Sequence, residues 1–202
     1  MKSKSTLSIL GLASLVRVST SLQLNVTAIS ARDGSSIFQC WQMDTPFDIS
    51  TEPGTLGTAG AVLGDVSTVS YTIIPANHDS GLHNAPCNLW AVVAGLVHFT
   101  LPDDDTAGAY ISGGSSSIMF AADTAEVSQR GHNARFPGLT ETIVLQIPTH
   151  DGEVPKHSVL HMGPCGVDDM VGIREVGLGA TRSGPVEAKV EVDGNLLPIQ
   201  FL

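Results

Sequence analysis

Residues 81–101, GLHNAPCNLWAVVAGLVHFTL, decide the fold class. They hold two apolar runs, LWAVVA at 89–94 and LVHFTL at 96–101. Each run is too short for a stable helix and has the usual length of a strand. Gly95 between them can take the backbone angles of a tight reversal, so the runs are expected to pair as a hairpin. The polar stretch before them, with Asn84 and Pro86, reads as loop, and it carries His83.

The same pattern continues on both sides. Residues 22–30 (LQLNVTAIS) alternate as a strand, and the turn pair Asp33-Gly34 leads into a second at 36–43 (SIFQCWQM). A short strand fits 47–50, a longer one 69–74 (VSYTII), and residues 77–86 read as loop. Further strands are expected at 109–112, 117–120 and 140–147 (TETIVLQI), with one helical turn at 121–127. Residues 153–161 hold one more short strand. The tail alternates strictly at 186–192 (VEAKVEV), turns at Asp193-Gly194, and pairs back through 196–201. Many short strands with turn signals between them predict an all-β sandwich or barrel.

Composition agrees. The chain has 202 residues, 21 glycines and 11 prolines, and only 15% charged residues, a turn-rich β composition long enough for one sizeable core. Twenty acidic residues stand against ten basic ones, which sets the surface against a phosphate backbone and so against nucleic acid as a partner.

Lys2 and Lys4, the apolar run at 7–18 and the small residues Ser19-Thr20-Ser21 have the layout of a secretory signal peptide over 1–21. That run is too short to span a bilayer, and no other segment approaches ~18 continuous apolar residues, so no membrane association is expected after its removal. Secretion also suits Asn25-Val26-Thr27, a glycosylation sequon with Asn25 as acceptor. The cysteines are Cys40, Cys87 and Cys165. An odd count in an oxidising compartment means one bridge and one spare thiol. A Cys40–Cys165 bridge would close the longest loop and give the largest chain-entropy effect, and spacing leaves Cys87 open as a partner.

The order of pieces over 69–147 resembles the cupin (jelly-roll barrel) superfamily. His83, Asn88 and Gly95 fall where that family's first motif has its second histidine, its glutamate and its glycine; Gly81 replaces the first histidine. His132, in Gly131-His132-Asn133, resembles the histidine of the second motif. The segments VTAISARDGSSIFQCWQM (26–43), GLHNAP (81–86), FAADTAEVSQRGH (120–132), LQIPT (145–149) and VLHMGPC (159–165) are similar to a set of small secreted fungal proteins with a cupin-like barrel. A looser resemblance is to the hetero-Diels–Alder cyclases of fungal tropolone-sesquiterpenoid pathways. These resemblances imply one cupin-like jelly-roll barrel over 22–166; the residues themselves give a Gly-rich segment and C-terminal β-hairpin over 167–202. The resemblances also imply a homodimer through edge strands as a candidate assembly.

For chemistry, His83 and His132 are the candidate catalytic residues, with Trp41, Tyr71, Asn84, Asn88 and Trp90 as lining of a ligand pocket. No metal or other cofactor is expected, because two histidines and an amide fall short of a cupin ligand set. The alternative is one transition-metal ion at His83 and His132, with His78 or His98 filling in. There is no G-x-S-x-G, H-E-x-x-H, Walker or G-x-G-x-x-G sequence. The run Asp103–Asp105 and the stretch at 113–117 read as turns rather than calcium or phosphate sites. The leading expectation is a secreted barrel that binds a small, partly apolar or aromatic molecule. Its chemistry would be metal-independent cyclisation or isomerisation. The alternatives are a non-catalytic effector or surface-binding protein, and a degenerate metal-dependent dioxygenase or decarboxylase.

Overall fold

The computed structural model describes residues 22–169, together with the backbone of Lys189–Val192 and Asn195–Pro198. The expected signal peptide at 1–21 lies outside the described residues. The architecture is all-β. A seven-stranded sheet has the order β13 (His157–Met162), β2 (Ser35–Pro46), β1 (Gln23–Arg32), β10 (Ile118–Ala121), β7 (Asn88–Ala94), β12 (Thr142–Pro148), β5 (Ser70–Ile74). A four-stranded sheet has the order β6 (His78–His83), β11 (His132–Phe136), β8 (Leu96–Leu101), β9 (Asp104–Ser112). A small ribbon joins β3 (Asp48–Ile49) to β4 (Ala59–Gly60), and the tail hairpin pairs β14 (Lys189–Val192) with β15 (Asn195–Pro198).

The alternation seen in the sequence becomes two apolar faces. Ile29, Phe38, Trp90 and Val92 of the large sheet meet Val97, Phe99, Ala134 and Phe136 of the small one in the main core. Burying each such side chain contributes about 1.5–3 kcal/mol. On the other face of the large sheet, Val26, Trp41, Phe120 and Cys87 form a second buried cluster. A sheet buried on both faces explains why 26–29 is apolar at almost every position.

The Asp33-Gly34 turn forms as expected, both residues taking positive φ as a two-residue hairpin requires. Three expectations need correction. The runs flanking Gly95 do not pair with each other. β7 pairs with β10 and β12, and β8 pairs with β9 and β11, so Gly95 is the corner where the chain changes sheets. Its φ is +85°, and a Cβ there would lie 2.7 Å from the Cα of Thr142, whose hydroxyl ties both backbone groups of Leu96. Residues 78–83, expected as loop, form β6. β6 is an edge strand and exposed along most of its length, so it needs no hydrophobic alternation. The helical turn expected at 121–127 shrinks to one hydrogen-bonded turn at 124–128, closed by the N–H groups of Val127 and Ser128 on the Thr124 carbonyl, because 121 still belongs to β10.

Cys40 and Cys165 form a disulfide, and Cys87 is a free, buried thiol whose pKa burial pushes up.

Candidate functional site

His83 closes β6 and His132 opens β11, and the two stand directly opposite each other across that antiparallel pair. Opposed residues share a sheet face, and His132 alternates with the core residues Ala134 and Phe136, so both histidines lie on the core side. Their ring centroids are 4.7 Å apart. Gly131 permits this approach: it has φ +66°, and any Cβ would run into the His83 carbonyl.

The residue that sequence reasoning missed is Asp123. β10 ends at Ala121, but its alternation runs on. Met119 and Ala121 face the main core, and Phe120 and Ala122 face the outer cluster. Asp123 takes the next inward position. It is fully buried, and its Oδ2 accepts from His132 Nδ1 at 2.8 Å and from Ser36 Oγ at 2.7 Å. Ser36 Oγ meets Ser128 Oγ at 2.8 Å, and Ser128 Oγ accepts from the Gly131 N–H at 3.0 Å. Asn84 Nδ2 donates to the Asp123 and Ser128 carbonyls at 3.1 and 2.9 Å, fixing the loop that carries both.

This network sets the orientation of both imidazoles. A carboxylate accepts only, so Nδ1 of His132 carries the proton and the lone pair of the neutral ring sits on Nε2. His83 is held likewise, with Nδ1–H on the Gly81 carbonyl at 2.9 Å. Thus each histidine is pinned at Nδ1 and offers Nε2. His132 is 2% exposed and His83 half-buried, so one member is sheltered and the other meets solvent. Asp123 Oδ1 has no hydrogen-bond partner among the described residues.

The expected aromatic pocket is not assembled. Trp41 is buried in the outer cluster, stacked on His157 at 3.6 Å and donating to Gln39. Trp90 packs in the main core, its Nε1–H on Asn88 Oδ1 at 3.0 Å, which uses both residues structurally. Tyr71 is exposed on the edge strand β5. Of the five expected lining residues, only Asn84 touches the histidine network. Neither of the cavities of about 310 and 480 Å³ is lined by His83 or His132; the first opens between the sheets beside Thr27, Ala109 and Ile111.

His98 and His78 do not join the pair. His98 faces outward, stacked on Tyr110 at 4.0 Å, and burial, then Arg135, holds its pKa down. His78 lies at the far end of β6, opposite Phe136. Among the described residues, no third His, Cys, Asp or Glu joins His83 and His132 in a ligand cluster. The one such cluster is Cys40, His161 and Asp169, whose cysteine is in the disulfide. The sequon residue Asn25 is half-buried, and its Nδ2 already donates to the Asp169 carbonyl at 2.7 Å.

No protein-family model matches this chain, and no curated protein matches it.

Proposed function

We propose that this chain is a secretory-pathway β-sandwich protein of the cupin-like fungal type. In this reading it binds a small, partly apolar molecule at the His83–His132 end of the core and promotes its metal-independent isomerisation or cyclisation, of the hetero-Diels–Alder kind. The observation that carries this reading is the Asp123-anchored His132 beside His83, both with Nε2 available. Asp123 stabilises the imidazolium that forms when His132 takes a proton at Nε2, so the ring can accept a proton and return it. His83 lies close enough to serve a second polar atom of the same substrate. A donor already oriented toward a developing negative oxygen spends no reorganisation at the moment of reaction. Secretion is supported by the disulfide, which persists in oxidising compartments, and by the leader-like N-terminus. No described helix is long and apolar enough to cross a membrane.

A second reading has its own support. Neither described cavity reaches His83 or His132, which favours a non-catalytic secreted protein that binds through its surface.

Native mass spectra before and after mild denaturation test the proposal. A releasable organic mass, lost in His83→Ala and His132→Ala, is the expected result. Binding that survives both substitutions would overturn it. One transition-metal ion per chain would revive the metal-dependent alternative.

A further inference from the structure

The geometry points to a second, separate site: the Cys40–Cys165 disulfide is an exchange site for a small thiol of the glutathione class, with His161 as the proton donor to the departing Cys40 sulfur. Three observations place the parts. First, β13 carries an irregularity between Val159 and His161, so Val159 opposes Trp41 and His161, not Leu160, opposes Cys40. Bulges re-aim side chains in this way. His161, Cys40 and Thr27 thereby form one cross-strand row, and Thr27 Oγ1 accepts from the Cys165 N–H at 3.0 Å. Second, a His161 nitrogen, an Asp169 oxygen and Cys40 Sγ all lie within 4.8 Å of one another. Third, Cys165 is half-buried and lines the cavity of about 310 Å³, beside Tyr110, Ser115, Ser116 and Val167. That volume is at the small-molecule end of binding pockets.

Hydrogen bonding favours the charged form of His161. Nδ1 faces the Met162 carbonyl at 3.0 Å and Nε2 faces Asp169 Oδ2 at 3.1 Å. Both partners only accept, so each contact favours a protonated ring nitrogen and the two together favour the imidazolium. The same contacts, Met162 first and Asp169 second, raise its pKa. Asp169 is itself held by the Gly166 N–H at 2.6 Å, within the loop that bears Cys165.

A thiolate RS⁻ attacks Cys165 Sγ, the S–S bond breaks, and the electron pair leaves on Cys40 Sγ. Cys40 is fully buried and faces the Asp169 carboxylate, so its thiolate needs a proton, which the imidazolium supplies. A second thiol then releases Cys165, giving the protein dithiol and RSSR. The small thiol is oxidised and the protein disulfide reduced.

Glutathione under native conditions, with an alkylating quench and peptide mapping, tests this. The expected result is opening that is first-order in glutathione, with glutathione on Cys165 and the alkyl group on Cys40. Cys87, buried and free, should stay unmodified until the chain unfolds and so reports global opening. His161→Gln should slow opening by about tenfold or more without moving the urea midpoint, and His161→Lys should restore much of the rate. Opening independent of glutathione and concurrent with Cys87 labelling would overturn the proposal. So would the adduct on Cys40, or an unchanged rate in His161→Gln.

Discussion

Two histidine–aspartate pairs in this molecule have similar lengths and opposite physics. His132–Asp123 is 2.8 Å long with side chains 2% and 0% exposed, whereas His161–Asp169 is 3.1 Å long with side chains 43% and 26% exposed. Burial makes the first pair a fixed part of the fold, because removing either partner strands the other away from water. Exposure makes the second nearly dispensable for stability, because water can replace either partner. Its position beside a disulfide sulfur, rather than its strength, is what gives it a use.

The largest effect that separates the pairs is Asp123→Ala, which leaves buried His132 and Ser36 without their acceptor. A loss of about 3–5 kcal/mol is expected in urea unfolding. A loss below about 1 kcal/mol would make the two pairs equivalent after all. Next comes Gly131→Ala, which combines a positive φ with a clash on the His83 carbonyl. It should cost about 1–3 kcal/mol and move the His83 ring resonances, because β6 must draw back from β11. Asp169→Asn, by contrast, should change stability by less than about 1 kcal/mol.

The smallest effect is in titration. The pKa of His161 is raised from the ordinary 6.5 and that of Asp169 is lowered from 3.8. The His161 contribution is therefore complete below 6.5 and is lost as pH rises through its raised value. The Asp169 contribution is complete above 3.8 and is lost as pH falls through its lowered value. NMR titration should place His161 above the ordinary histidine range. Asp169→Asn should bring it only part of the way back, because the Met162 carbonyl is the larger cause. A full return would mean the backbone contact contributes nothing.

Much of the β architecture was legible because strands announce themselves by period two and by their turns. The clearest cases are the strand at 22–30, the Asp33-Gly34 turn and, of the strict pattern at 186–192, the part Lys189–Val192 that lies within the described residues. What stayed hidden was non-local. Gly95 looks the same in a hairpin and at a corner between sheets; only the partners of β7 and β8 decide. β6 escaped because an exposed edge imposes no hydrophobic pattern. His83 and His132 were found as a pair, yet the aromatic residues grouped with them scatter over two clusters and an edge. Spacing along the chain does not say which face of which sheet a tryptophan takes. Asp123 was available in principle. Extending the alternation of β10 two residues past its end puts a carboxylate on the core face, where it must find a donor.

The disulfide also changes the topology of the molecule. Joining residues 125 apart turns the chain from 40 to 165 into a covalent ring. β1 lies outside that ring yet is hydrogen-bonded between β2 and β10. A protease cut in the exposed stretch 51–58 would linearise the ring without releasing a fragment. The nicked protein would run as one species until a reductant separates it into two, and its β1 strand would stay seated in the sheet.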